Sequence, residues 1–282
     1  MKKLKVKKDY FLFILFYFLC LTTYSQDKFP QRIISLGPSI TEELYLLGVE
    51  DKIVGVTTYC KRPPQAIRKE KVGTVIEVNV EKIFNLKADL ILATPLAQQK
   101  DLEKLKKLGI KVITFPSAKN FTEICEQFLE LGRIVGKERE AKEIIEKVVN
   151  FLTSIREKIK DLDKPKVLIQ VGVKPLWIAT KDTFINDFIE FAGGENVGII
   201  GKGIYSREKV LMDNPDVIVI TTMGIIGEKE KETWQRYKTI SAVKNNRIYI
   251  FDSYKLCSPT PLSFIETLEE LVGILHPEIY EK

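Results

Sequence analysis

The sequence predicts an α/β protein of two pseudo-symmetric lobes joined by a single long backbone helix. Strand-like apolar runs alternate with helix-like segments, one segment recurs 127 positions later, and an amphipathic stretch of 26 residues divides the two series. The recurrence sets NVEKIFNLKADLILAT (79–94) against SREKVLMDNPDVIVIT (206–221). The two share Glu81/Glu208, Lys82/Lys209, Asp89/Asp216, Ile91/Ile218 and Thr94/Thr221, with apolar matched to apolar at most other core positions. Duplication is the economical explanation.

The elements follow in order. MKKLKVKKD carries five lysines and runs into YFLFILFYFLCL at 10–21, a positive n-region followed by an apolar h-region. Twelve helical residues rise about 18 Å, short of the roughly 30 Å hydrocarbon core, so residues 1–25 read as an export signal. Thr23 and Ser25 place cleavage before Gln26; lipid anchoring at Cys20 is the lesser alternative, because Leu19 and Phe18 before it are bulky. Without residues 1–25 the chain loses five lysines and one aspartate, leaving 39 basic and 37 acidic residues and a net charge of +2 instead of +6. So neutral a chain offers no concentrated basic face for nucleic acid. Cys60, Cys125 and Cys257 remain, an odd number, which excludes a disulfide framework and leaves a Cys60–Cys257 bridge open.

RIISLGPSITEELYLLG (32–48) reads as a short strand, a Gly-Pro turn and a helix, with Ser39 and Glu42 at capping-box spacing. KIVGV, the helix opening at Asn79, DLILA, the helix around Asp101–Leu108 and KVITF (111–115) continue an N-terminal α/β lobe over 31–136. Continuous apolar strands of this kind are usually buried on both faces, as in parallel sheets. From 137 to 162, Ala141, Ile144, Val148, Phe151, Ile155, Ile159 and Leu162 recur every three or four residues. This predicts an interlobe helix of roughly 40 Å; a plain core helix of a single domain is the alternative reading. KVLIQ, the helix 182–192, DVIVI, a charged helix near 228–238, RIYIF and the helix 261–275 build a C-terminal lobe over 165–282. Asn79 and Ser206 stand as N-caps at the same point of each lobe.

Much chemistry is missing. The single histidine, His276, sits beside Pro277, where a surface or capping role is expected. No G-x-S-x-G elbow, no H-E-x-x-H and no G-x-x-x-x-G-K-[ST] loop occurs, which leaves serine-triad, histidine-zinc and P-loop chemistry without support. The carboxylates lie on lysine-rich helices, where solvated faces and i,i+4 pairs are the ordinary outcome. No catalytic residue, cofactor or resident metal is assigned.

RIISLGPSITEELYLLG, VGVTTYCKRPP, KVGTVIEVNVEKIFNLKADLILA, AGGEN (192–196) and SREKVLMDNPDVIVIT together resemble the periplasmic solute-binding proteins of cobalamin and iron-siderophore ABC importers. The similarity spans about residues 31–275, with motif order and spacing retained. It implies a ligand cleft between the lobes, a monomer, and delivery to a permease dimer with its ATPase in the inner membrane. It further implies that Glu81 and Glu208 dock onto permease arginines, one from each lobe. For the ligand it implies Tyr59, Trp177, Tyr205 and Tyr254 as aromatic walls, with Asp252 and Lys255 as charged contacts. Two departures stand out: Val75 and Thr94 occupy positions where cobalamin binders carry tryptophan, and the arginine often found near Asp252 is absent. The expected function is an exported, periplasmic substrate-binding protein that captures a corrinoid, with ferric-siderophore or haem binding as the alternative. A chelatase-like tetrapyrrole or metal enzyme is the rival from another class. Two lobes on a continuous helix imply modest closure.

Overall fold

The computed structural model describes residues 29–221 and 227–280. The export signal and Cys20 lie outside the described residues. Two sheets with helices around them make up the fold, the first parallel and the second parallel except for an antiparallel ribbon.

The first sheet takes β1 (Ile33–Ser35), β2 (Ile53–Val56), β3 (Leu90–Ala93) and β4 (Lys111–Thr114) in the order β2-β1-β3-β4, all parallel. Three helices connect them: α1 (Pro38–Leu46), α2 (Val80–Asn85) and α3 (Gln99–Lys107). Period-two alternation sorts the apolar strands onto two cores. Ile33, Leu90 and Leu92 join one, while Ile34, Ile91 and Ala93 join the other. At the sheet edge β4 departs from the doubly buried reading: Lys111 and Thr114 are exposed, and Val112 and Ile113 only half-buried. The Ser39–Glu42 capping box does not form either. Gly37 is the N-cap with Pro38 in the first turn, and Glu42 pairs instead with Arg62 at 2.9 Å. Gly37 is required by close approach, since a Cβ there would lie 2.8 Å from the Thr94 methyl.

Two helices then form a hairpin. In α4 (Phe121–Val135) the Asn120 side chain caps the start and Gly136, at φ 77°, ends it; α5 (Glu138–Ile159) follows. Sequence reading passed over α4 and placed the long helix at 137–162. At 22 residues α5 is about 33 Å long. It reaches both lobes: Ala141 packs with Leu131 and Val135 in the first, and Val148, Ile155 and Ile159 pack in the second. Helix α4 runs beside it and is also shared, with Phe128 in the first core and Phe121 and Ile124 in the second.

The second sheet repeats the first. Strands β5 (Lys166–Gly172), β7 (Glu195–Asn196), β9 (Val217–Thr221) and β10 (Ile248–Phe251) pair in parallel as β7-β5-β9-β10, the same order as β2-β1-β3-β4. An antiparallel ribbon of β6 (Leu176–Ile178) and β8 (Ile204–Tyr205) takes the carboxyl half of the β5 edge, beyond β7. Around this sheet lie α6 (Phe184–Phe191), α7 (Arg207–Asp213), α8 (Gly227–Trp234), α9 (Ser241–Lys244), α10 (Ser253–Cys257) and α11 (Pro261–Leu275).

The recurrent residues do equivalent work. Asp89 accepts from the Arg32 backbone N–H at the head of β1, and Asp216 accepts from Lys166 N–H at the head of β5. Lys87 and Asn214, 127 apart, both turn the chain with positive φ, at 50° and 48°. His276 departs from the surface reading. It is 2% exposed, follows α11 as its C-cap, and places Nε2 3.0 Å from the Ala192 carbonyl.

Candidate functional site

A cavity of about 260 Å³ lies between the lobes. The first lobe supplies the chain just beyond β1, β3 and β4: Pro38–Ile40, Thr94–Leu96 and Phe115–Ala118, with Val75 from the segment after β2. Helices α1 and α4 add Glu43, Ile124 and Gln127, and the second lobe closes the space with Phe184 and Cys257–Pro259. In open α/β sheets ligands bind outside the carboxyl ends of the strands, and this is such a place.

The wall is mostly apolar, with two polar exceptions. Glu43 is 7% exposed, and among the described residues its carboxyl has neither a hydrogen-bond donor nor a cation. Burial pushes that carboxyl well above the usual range, and the neighbouring Glu42 charge pushes it further. The Thr94 hydroxyl is buried without a partner among the described residues. Cys257 also lines the space. Burial lifts its thiol to about 11, which keeps it protonated and unreactive.

One edge of the crevice is bridged by side chains. The Arg62 guanidinium donates to the Tyr254 and Ser258 carbonyls, each at 3.0 Å, and lies 5.2 Å from the Tyr254 ring centre. Arg62 also pairs with Glu42, whose carboxyl is raised chiefly by burial against the opposing pull of Arg62. The Tyr254 hydroxyl donates to the Tyr59 carbonyl at 2.6 Å.

Of the expected ligand residues, Tyr59 and Tyr254 are thus brought together at the crevice edge. Asp252 is occupied as the N-cap of α10, accepting from Tyr254 N–H at 2.8 Å. Lys255 pairs with Glu270 of α11 and lies 5.8 Å from the Phe251 ring centre. The cation at the crevice is therefore Arg62, not Lys255. Tyr205 does not line this cavity. It is 8% exposed in the second-lobe core, and its hydroxyl donates to the Val197 carbonyl and to Asp213, both at 3.1 Å. Trp177 is exposed on the β6–β8 ribbon, and it packs over Gly172 and Gly203 outside the cavity wall. Val75 and Thr94 do stand in the wall, so the first of the two expected departures falls on the cavity itself. Cys60 and Cys257 are both free. The Cys60 sulfur is held instead by the Thr41 and Thr57 hydroxyls, both at 3.1 Å.

Glu81 and Glu208 are exposed at the same position of α2 and α7. The helices are capped alike: Asn79 accepts from Lys82 N–H at 2.8 Å and Ser206 from Lys209 N–H at 3.1 Å. Hydrogen bonds from its own backbone and from Ser206 hold the Glu208 carboxyl below the usual range.

Sequence reasoning passed over Glu43 and Arg62. Glu43 did carry a signal: it falls in the stripe Ile40, Leu44, Leu47, a carboxyl on the face that α1 buries. Arg62 carried none, because its partners lie 192 and 196 residues away.

Comparison with known proteins places these features among relatives. A profile described as periplasmic binding protein matches residues 33–255. An uncharacterized ABC transporter substrate-binding lipoprotein of Bacillus subtilis is 34% identical over 264 residues, covering 90% of this chain and 83% of its own. A solved structure of a possible iron-binding, periplasmic solute-binding protein of Staphylococcus epidermidis aligns at 32% identity and TM-score 0.78, over 88% of this chain and 100% of its own. The periplasmic vitamin B12-binding protein of Vibrio cholerae aligns at 27% identity and TM-score 0.74, over 90% and 99%.

Proposed function

The chain belongs to the periplasmic binding protein family, and from that premise we propose that it is the exported substrate-binding protein of an ABC importer for a corrinoid. The observation that carries this reading is the interlobe cavity, walled by the carboxyl ends of one lobe's strands and closed by the other lobe. Capture in such a place needs no covalent step. A relative named for vitamin B12 binding supports the corrinoid, and one named for iron binding supports a ferric chelate as the second reading.

At about 260 Å³ the cavity falls below the roughly 300–1,000 Å³ of sites that bury a whole small molecule. A macrocycle therefore enters as the lobes part, with release of the Tyr254 and Arg62 contacts. The movement is small, because α5 is continuous and α4 packs along it, and bending either would break helical hydrogen bonds. Small-angle scattering with and without ligand should give nearly the same radius of gyration; a large ligand-induced compaction would contradict this hinge.

Delivery is to a permease dimer with its ATPase, docked through Glu81 on one lobe and Glu208 on the other. Each glutamate shares its helix with an exposed apolar side chain, Phe84 at 51% and Met212 at 80%, of the kinds enriched where proteins meet. Export relies on residues 1–25, and the naming of the Bacillus relative as a lipoprotein supports Cys20 anchoring as the alternative to release.

Titration of the purified mature chain with cyanocobalamin, dicyanocobinamide, haem and a ferric siderophore, followed by absorbance and calorimetry, tests the ligand. Saturable one-to-one binding of the corrinoids is expected. Failure of every chelate to bind would overturn the reading.

A further inference from the structure

The cavity holds one feature that the transport role leaves unexplained. Glu43 sits on the buried face of α1 and lines the cavity, yet no donor or cation meets its carboxyl among the described residues. The neighbouring Glu42, by contrast, has a cation beside it: its carboxylate forms an ion pair with Arg62 at 2.9 Å. A buried polar group left alone is costly, and such groups in folded proteins are nearly always partnered. The unpartnered Thr94 hydroxyl belongs to the same cavity, and among the described residues no lysine or arginine lines it.

We propose that Glu43 is a ligand-specificity residue: with the Thr94 hydroxyl it receives a carboxamide at the periphery of the bound macrocycle, and it disfavours ligands whose periphery is anionic. This deepens the corrinoid reading and rests on it. The Glu43 carboxyl offers acceptor oxygens to the cavity, and the unpartnered Thr94 hydroxyl beside it in the wall offers an O–H donor. A carboxamide carries the complementary N–H and C=O pair, so both bonds form without moving charge into an apolar space. A carboxylate in its place would bring negative charge to a wall that, among the described residues, has no cation and disfavours ionising its own acid. Corrinoids bear carboxamides around the ring; haem propionates and ferric catecholates present negative charge.

The test uses two probes that share one ring, dicyanocobinamide with its amides intact and dicyanocobyrinic acid with the amides replaced by carboxylates. The wild-type chain should bind the first and reject the second by at least about a hundredfold. Glu43→Leu should weaken dicyanocobinamide about tenfold to a hundredfold, and Glu43→Gln, which keeps a donor and an acceptor, should recover most of that loss. Thermal midpoints of both variants control for folding, and Thr94→Val gives a second, milder reading of the same contact. If Glu43→Leu is folded and binds dicyanocobinamide like wild type, or if cobyrinic acid binds equally well, the inference falls alone. If the wild-type chain binds haem or a ferric catecholate in preference to dicyanocobinamide, the inference falls while the transport role stands. If it binds none of these chelates, both fall.

Discussion

Reversing Glu81 and Glu208 together, to arginine, should reduce uptake to the level of cells lacking the protein, while the purified variant binds its ligand as tightly as before. Both side chains are exposed, and neither lines the cavity. Each sits in the first turn of its helix, where the Asn79 and Ser206 side chains still accept from Lys82 and Lys209 N–H after the change, and the bonds that the Glu208 carboxyl accepts from Ser206 and its own backbone are given up. Local structure therefore survives the change. On the proposed docking, what is lost is electrostatic pairing with the permease: charge-assisted carboxylate–arginine contacts would orient the partner and speed encounter, and reversal would turn attraction at both ends into repulsion. Single reversals should give partial uptake, because one lobe still docks, and the single variants should be rescued in part by low ionic strength, where the surviving pair reaches further. Uptake by the double variant at the wild-type rate would sink the docking role.

The duplication that suggests two docking points was legible for a physical reason. Asp89 and Asp216 tie the loop before one strand to the head of its neighbour, and Lys87 and Asn214 make the same left-handed turn before them. Such local devices survive as local sequence, so a 127-residue offset exposes them. The buried parallel strands were legible because both faces of β3 and β9 are apolar. By contrast α4 was passed over although Asn120 and Glu123 mark its start and its apolar periodicity is as strong as that of the longer, more charged helix after it. The β6–β8 ribbon was invisible because its strands are only three and two residues long. Tyr205 follows from it: across the ladder Leu176 pairs with Tyr205 on the buried face and Trp177 with Ile204 on the exposed one, so strand alternation sends the two aromatics to opposite sides. Arg62 lay beyond any local reading, since its role exists only once the lobes meet.

Where the lobes meet, the largest stability effect is expected. Phe264 of α11 is fully buried, stacked on Phe188 of α6 at 3.9 Å between ring centres and 4.3 Å from Phe121 at the head of α4. The Phe121 N–H is in turn held by Asp187 at 2.6 Å. Phe264→Ala removes the ring that all three helices share, and α-helical backbones locked by β-sheet on one side cannot collapse into the space. The cost should be about 3–5 kcal/mol, a large part of the roughly 5–15 kcal/mol that holds a domain folded. Phe264→Leu, which refills most of the volume, should cost under about 1.5 kcal/mol. Phe84→Ala, at a half-exposed ring on α2, should change stability by no more than about 0.5 kcal/mol. Urea unfolding followed by far-ultraviolet dichroism measures all three. If the lobes unfold in separate steps, the step belonging to the second lobe is the one that moves, because Phe264 packs in its core. The same variant should also loosen the junction itself, since α4 loses its anchor to the second lobe while α5 keeps Val148, Ile155 and Ile159 in place. A loss below about 1 kcal/mol would mean that the aromatic cluster repacks around the gap, and that α4 is held to the second lobe by Asp187 and α5 instead.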